Sequence, residues 1–349
     1  MSQTSREVVQ RCLRFEDPER IPVDMWVLPW AETRFPDELR RVREKYPSDF
    51  AFAPEVYSAS SKKQGDAFVV GTYVDEWGCV FENLHDGVIG EVKDPIITDA
   101  GDLDTCIPPY ELLPTDPKKA RDIVNRACDK TDKFIFASCL PRPWERYQFL
   151  RGTEEAMVDT MMPEEGGDKL LEKIHDFYMK ELEFWTSTNV DAIFFMDDWG
   201  SQTQLLISPD AWREQFKPLY KDYCDIAHSN GKFAFMHSDG NISEIYEDLV
   251  DVGVDAQNSQ LFVMDMAGLS ERVKGKITFW GEIDRQHVFL SEDPQVVKDA
   301  VRKVAHHLYD PAGGIIAQFE VGPGANPANA MVALDEWAAV HEESMAQPH

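Results

Sequence analysis

The sequence lacks any run of about 18 apolar residues, the length that a membrane-spanning helix requires. Its N-terminal stretch, MSQTSREVVQRCLRFEDPERIPV, is charged and amphipathic and lacks the apolar centre of a secretion signal. The sequence also lacks a Cys-x-x-Cys pair, and its six cysteines lie far apart. We therefore expect a cytoplasmic protein with reduced cysteines, no membrane span and an amphipathic first helix.

Basic residues are scarce in this chain. The 35 Lys and Arg residues stand against 63 Asp and Glu residues, which gives a net charge of −28. A field of that sign repels phosphate backbones, so we expect no nucleic-acid partner. It also disfavours a polyanionic ligand unless arginines converge on one site. The expected ligand is a small molecule.

Short apolar runs are plentiful and alternate with helical patterns along the 349 residues, of which 43% are hydrophobic. Such alternation is typical of βα units that build a parallel sheet. Eight runs predict an α/β fold, namely a single (β/α)8 TIM barrel over residues 1–349. The predicted strands are 21–27, 49–53, 134–138, 192–197, 232–237, 255–258, 277–281 and 314–318.

Residues 54–115 interrupt this alternation after the second strand. The segment YVDEWGCVFENLHDGVIGEVKDPII predicts a β-hairpin with a turn near His85-Asp86-Gly87. We expect this insertion to lie over the barrel mouth, either as a lid or as a purely structural flap. Apolar residues at helical spacing predict helices over 168–187, 209–229, 243–251, 294–308 and 333–345.

Polar residues end most of the predicted strands, and in a barrel the carboxyl ends of all strands meet at one mouth. The fourth strand ends in Asp197-Asp198, and the fifth ends in His237-Ser238-Asp239. A spacing of two places His237 and Asp239 on the same face of the strand. With a third carboxylate they can hold a divalent metal, or a carboxylate can orient His237 as a general base. The structural alternatives are a hydrogen-bonded histidine and carboxylates that cap helices.

The segment FFMDDWGSQTQLLISPDAWREQFKPLYKDYCDIAHSNGKFAFMHSDGNISEIYEDLVDVGVDAQN resembles the uroporphyrinogen decarboxylase superfamily, nearest its cobamide-dependent methyltransferase branch. The segments RCLRFEDPERIPVD, GTYVDEWGCVF, ERYQFLRGTEEAM and ANPANAMVAL extend the likeness over nearly the whole chain. The resemblance implies a (β/α)8 barrel and, from relatives, a homodimer. In that branch a zinc ion held by a His-x-Cys pair and a second cysteine activates a thiol or related methyl acceptor, and a corrinoid carries the methyl group.

The chain departs from the zinc pattern of that branch. His237 matches the histidine, whereas Asp239 stands at the first cysteine and Phe319, followed by Glu320, stands at the second. Oxygen ligands make a harder site than thiolates do. The resemblance therefore predicts a divalent metal, with zinc as the first choice, held by His237, Asp239 and Glu320.

The resemblance to the decarboxylase itself is weaker at the site. That enzyme anchors acidic tetrapyrrole side chains with an arginine in a Gly-Arg-Tyr segment near the N-terminus, and here the corresponding segment is Val27-Leu28-Pro29-Trp30-Ala31-Glu32. We therefore do not expect uroporphyrinogen as the substrate.

Three functions compete at this point. The first is methyl transfer or demethylation of a small methylated compound, with a corrinoid protein as partner. The second is a decarboxylase or lyase that anchors carboxylates with Arg142, Arg146 and Arg285. The third is a non-catalytic protein that binds a corrinoid, a porphyrin or another protein.

The candidate site residues follow from the strand ends and from the resemblance. The predicted catalytic residues are His237, Asp197 and Asp198. The predicted substrate-binding residues are Trp26, Arg142, Tyr147, Asn258, Glu282 and Gln318.

Overall fold

The computed structural model describes residues 2–99, 105–162 and 167–346. These residues form eleven strands and thirteen α-helices. The strands are β1 (Val23–Val27), β2 (Phe50–Phe52), β3 (Gly71–Val74), β4 (Val80–Asn83), β5 (Glu91–Val92), β6 (Phe134–Phe136), β7 (Ala192–Met196), β8 (Phe233–Ser238), β9 (Ala256–Ser259), β10 (Thr278–Trp280) and β11 (Ile315–Val321). The helices are α1 (Ser5–Arg14), α2 (Pro29–Arg34), α3 (Pro36–Lys45), α4 (Pro117–Cys128), α5 (Pro143–Arg151), α6 (Thr153–Met161), α7 (Gly167–Thr186), α8 (Pro209–Gln215), α9 (Lys217–Ser229), α10 (Tyr246–Val252), α11 (Met266–Val273), α12 (Pro294–Leu308) and α13 (Ala328–Ala346).

Eight parallel strands form a nearly closed barrel, which confirms the predicted (β/α)8 fold. Their hydrogen-bonded order is β1-β11-β10-β9-β8-β7-β6-β2. The seam between β1 and β2 is closed at Asp49, whose backbone N–H donates to the Val23 carbonyl over 2.9 Å. The Asp49 carboxylate accepts hydrogen bonds from the Val23 N–H and from Arg20, so the seam is also held by side-chain contacts.

Aromatic rings fill the interior of the barrel. Because successive strand residues point to opposite faces, alternate positions of each strand supply this core. The rings of Phe136 and Phe235 lie 4.9 Å apart, and those of Phe136 and Trp280 lie 5.5 Å apart. Val9 and Cys12 of α1 pack into the same cluster. The interior is therefore a packed core, and open space for a ligand lies at the mouth.

The insertion after β2 forms a small antiparallel sheet, in the order β3-β4-β5. Strands β4 and β5 pair on either side of the predicted turn, which confirms the hairpin, and β3 adds a third strand. Gly87 contacts the backbone of Trp30, which follows β1, and Asp75 forms an ion pair with Arg146 of α5. The sheet thus packs on segments that follow barrel strands. Residues 100–104 of the predicted insertion lie outside the described residues.

Several predicted boundaries differ from the structure. The helix predicted over 209–229 is two helices, α8 and α9, because Pro218 at the start of α9 has no N–H to continue the preceding turns. Strand β11 extends to Val321, so Phe319 and Glu320 lie inside a strand. Within the described part of the chain, no helix combines the length and the apolar character that a membrane crossing demands.

Candidate active site at the barrel mouth

His237 lies near the carboxyl end of β8 and is held in one orientation. The Asn258 side-chain N–H donates to the Trp280 carbonyl, which turns the Asn258 Oδ1 atom towards His237. His237 Nδ1 lies 2.6 Å from that oxygen and therefore donates its proton to it. The opposite nitrogen, Nε2, is left for the site, and the Trp26 ring lies 5.4 Å from the imidazole.

Two carboxylates face His237 Nε2. Asp198 Oδ1 lies 3.5 Å from it, and Asp239 Oδ1 lies 3.6 Å from it. One ligand atom from each of these three residues falls within 4.8 Å of the others. Asp198 Oδ1 also accepts the Asp239 N–H over 2.9 Å, whereas Asp239 Oδ1 is buried and has no hydrogen-bond partner among the described residues. We call Asp198, His237 and Asp239 the mouth cluster.

The mouth cluster is electrostatically polarised. Burial lowers the pKa of His237, but the nearby carboxylates of Asp198 and Asp239 outweigh it and raise that pKa to about 10. Burial alone would raise the pKa of Asp198, yet the interaction with His237 holds that pKa below its ordinary value. The imidazole is therefore a cation at neutral pH, and a divalent cation bound between the same carboxylates would take the place of its Nε2 proton.

Arg285, which follows β10, links the mouth cluster to two further carboxylates. Its guanidinium forms an ion pair with Asp239, donates to Glu282 Oε2 over 3.0 Å, and lies 3.7 Å from Glu320 Oε1. Burial raises the pKa of Glu282 to about 8 although Arg285 opposes the shift. Arg285 thus fixes the Asp239 oxygen that points away from His237.

The structure brings part of the predicted metal set together. His237 and Asp239 are joined by Asp198, predicted as catalytic, whereas Glu320 lies against Arg285, outside the three-residue cluster. Phe319 points to the other face of β11 and stacks on Phe289 at 4.8 Å. The alternation along β11 explains why Glu320 and not Phe319 reaches the interior.

Asp197 lies on the opposite side of the β7 end from Asp198. Its carboxylate accepts the backbone N–H groups of Trp144 and Glu145 over 2.9 and 2.8 Å, and the Tyr220 hydroxyl over 2.6 Å. These contacts join β7 to the N-terminus of α5 and to α9. Asp197 is therefore a buried helix-capping residue in this structure, away from His237 Nε2.

The other predicted substrate-binding residues lie in three places. Gln318 is buried in the barrel, and neither polar atom of its amide has a partner among the described residues. Tyr147 donates to Asp159 over 2.9 Å in the helical layer, apart from the mouth cluster. Arg142 lines a cavity beside the insertion and lies 3.9 Å from Glu145 Oε2.

Glu145 and Asp24 are two site residues outside the predicted set. Burial and the charge of Asp198 raise the pKa of Glu145 despite Arg142, so Glu145 interacts electrostatically with both Arg142 and the mouth cluster. Asp24 accepts the indole N–H groups of Trp26 and Trp280 over 2.9 and 3.0 Å and so fixes the ring beside His237. A carboxylate inside an apolar strand was the available signal for Asp24; no comparable signal marks Glu145.

Two glycines bring the loops after β7 and β8 into backbone contact. Gly240 has φ +78°, and a Cβ at this position would overlap the backbone of Gly200. We expect Gly240→Ala to lower the free energy of unfolding by about 3 kcal/mol, from the positive φ and the overlap together. Gly231→Ala is the matched control, because Gly231 has φ +69° with no atom near its Cβ position, so its expected loss is about 1 kcal/mol. Equal losses in urea unfolding would show that the loops do not pack as described.

The family model for uroporphyrinogen decarboxylase (URO-D) matches residues 74–340. No curated protein matches the sequence. A methyltransferase from Methanosarcina mazei has a similar fold, with a TM-score of 0.68, 14% identity, and coverage of 99% of this chain and 100% of that chain. A B12-independent methionine synthase from Shewanella sp. W3-18-1 aligns at a TM-score of 0.43, with 15% identity over 74% of this chain and 71% of that chain.

The family match covers most of the barrel, including every member of the mouth cluster. It agrees with the resemblance carried by the segments around His237. The chain belongs to the uroporphyrinogen decarboxylase family.

Proposed function

We propose that this protein is a metal-assisted methyltransferase that removes a methyl group from a small methylated compound and passes it to a corrinoid protein. Membership of the family and the fold shared with a methyltransferase support the reaction class. The observation that carries the proposal is the mouth cluster, in which a buried Asp239 oxygen without a hydrogen-bond partner faces His237 Nε2.

The spacing of the mouth cluster suits a bound cation. Two atoms that bind one tetrahedral zinc ion at about 2.1 Å lie about 3.4 Å apart. His237 Nε2 lies 3.5 Å from Asp198 Oδ1 and 3.6 Å from Asp239 Oδ1, which is longer than a charge-assisted hydrogen bond. Asn258 accepts the Nδ1 proton of His237, as the outer partner of a metal-binding histidine commonly does.

His237, Asp198 and Asp239 would hold the metal, and one imidazole with two carboxylates suits zinc or another divalent ion. Such an ion would act as a Lewis acid that stabilises the electron pair that the departing heteroatom gains. In the reaction the bond between the methyl carbon and its heteroatom breaks and the heteroatom keeps both electrons. The acceptor supplies the electron pair of the new bond to carbon.

The residues around the mouth cluster have separate tasks in this proposal. Asn258 orients His237, and Arg285 holds Asp239. Trp26 forms an apolar wall beside the imidazole. The Gln318 amide, buried without partners among the described residues, is available to a polar group of the substrate.

A decarboxylase that anchors several carboxylates is less well supported. Arg146 is engaged by Asp75, and Arg285 contacts three acidic residues. An acidic tetrapyrrole would have to displace these partners in a chain of net charge −28.

A methyl-transfer assay tests the proposed function. Zinc-loaded protein, reduced cobalamin as the free acceptor, and O-methyl, N-methyl and S-methyl donors are mixed under anaerobic conditions. We expect the absorption spectrum of methylcobalamin to appear with one donor class and to stay absent after the protein is treated with a chelator.

Metal analysis separates the two parts of the proposal. We expect about one divalent ion per chain after incubation with zinc and removal of unbound metal. Failure of the protein to retain zinc, manganese, iron or cobalt would contradict the metal site. Metal-loaded protein that transfers methyl from none of the three donor classes would contradict the reaction.

A further inference from the structure

A cavity of about 520 Å³ lies between the insertion, α5, α7 and the segment that follows β6. Seven of the residues that line it are aromatic, and seven are charged. Ring contacts such as Trp77 with Phe177, at 5.2 Å, hold the wall together. The aromatic residues that line the cavity are Tyr57, Tyr73, Trp77, Phe81, Phe149, Phe177 and Tyr178.

Glu181 of α7 lines the cavity although its side chain is buried, with 6% exposure. The Trp185 indole donates to the Tyr57 hydroxyl over 2.7 Å, and that hydroxyl in turn interacts with Glu181. Among the described residues, no Lys, Arg or His nitrogen lies within 4.0 Å of the Glu181 carboxyl. Burial raises the pKa of Glu181 to about 8. Ionising a buried carboxyl without a counter-ion is costly, and a cationic ligand would lower that cost.

The cations around the cavity do not supply that counter-ion. Arg146 forms an ion pair with Asp75, lies 3.7 Å from Glu76, and stacks on the Trp77 ring at 5.0 Å. Arg142 also lines the cavity, and its charged neighbour is Glu145 at 3.9 Å. The acidic residues on the wall outnumber the basic ones: Glu55, Asp75, Glu76 and Glu181 face Lys63, Arg142 and Arg146.

We propose that this cavity binds a small organic cation, an alkylated ammonium compound, with its positive charge at Glu181 and its alkyl groups against the aromatic wall. A carboxylate supplies the charge, and the faces of aromatic rings attract alkylated ammonium groups.

The cavity adjoins the mouth of the barrel. Ser138, Leu140 and Arg142 on its wall follow the carboxyl end of β6, and Leu140 packs against the interior cluster that includes Trp26. We identify this cation as the methyl donor, and that identification rests on the proposed function. Binding of the cation does not rest on it, so the two can fail separately.

Isothermal titration calorimetry with choline and with 3,3-dimethyl-1-butanol, its uncharged carbon isostere, tests the proposal. We expect choline to bind at least tenfold more tightly at pH 9. We also expect its affinity to rise several-fold from pH 7 to pH 9, because Glu181 loses its proton near pH 8 and only the carboxylate pairs with the cation. Choline keeps its charge throughout this range.

The other groups facing Glu181 do not produce this pH dependence. Burial raises the pKa values of Tyr57, Cys139 and Tyr178 well above the ordinary values of these groups. None of the three therefore loses its proton between pH 7 and pH 9. Glu76 and Arg146 are the charged neighbours that act on Glu181 from the insertion and from α5.

The variant Glu181→Gln is expected to lose at least tenfold in choline affinity and to lose the pH dependence. Glu183→Gln is the matched control, because Glu183 is exposed on the same helix. Thermal unfolding checks that both variants are folded, and Glu181→Asp serves as a second carboxylate variant if Glu181→Gln unfolds. Equal affinity for choline and its isostere, or unchanged choline binding in Glu181→Gln, would overturn the proposal.

Discussion

Replacement of His237 by alanine is expected to reduce bound zinc from about one ion per chain to a trace and to slow methyl transfer by about 10³-fold or more. His237 supplies the single nitrogen ligand of the mouth cluster, and Asn258 fixes the orientation of its imidazole. Without the His237 imidazole, the mouth cluster no longer retains the metal ion. The Asp198 and Asp239 carboxylates then repel each other. Metal analysis and the cobalamin assay measure the two effects independently.

The matched control for this variant is His228→Ala. His228 also contacts a carboxylate, Asp255, at 2.9 Å, but it lies at the end of α9 on the outside of the barrel. We expect this control to keep its zinc and its activity. A His237→Ala protein that keeps full activity would remove His237 from the reaction, and one that keeps its zinc would remove it from the metal site.

The fold was predictable because strand alternation depends only on local sequence. Eight apolar runs defined the barrel, and the turn chemistry around Gly87 defined the hairpin of the insertion. The same alternation also separates Asp197 from Asp198. Phe194 and Met196 point into the barrel, so Asp197 must point towards the helices, and only Asp198 can turn back to the mouth.

The composition of the site was less predictable, since it depends on loops whose paths the sequence does not specify. Glu320 lies on the inward face of β11 as expected. Its charged neighbour, however, is Arg285 from the loop after β10, and not the mouth cluster. Glu181 occupies an ordinary helical position, and only the packing of the insertion on α7 turns it into a cavity residue. Tyr147 was predicted to bind the substrate, whereas its hydroxyl donates to Asp159 within the helical layer.

Asp197 gives the second large expected effect, on stability. We expect Asp197→Ala to lower the free energy of unfolding by about 3–5 kcal/mol, because removing this carboxylate leaves several buried donors without an acceptor. Those donors are the Trp144 and Glu145 N–H groups and the Tyr220 hydroxyl. Urea unfolding followed by circular dichroism measures the change.

Asp116→Ala is the matched control for Asp197→Ala, since Asp116 caps α4 through the Lys119 N–H over 3.0 Å but is exposed. Its expected loss is about 1 kcal/mol, the ordinary value of a helix cap. The folded fraction of Asp197→Ala should still bind zinc, because none of the mouth cluster is removed. An Asp197→Ala protein as stable as Asp116→Ala but inactive would instead make Asp197 a participant in the reaction, as its place at the end of β7 first indicated.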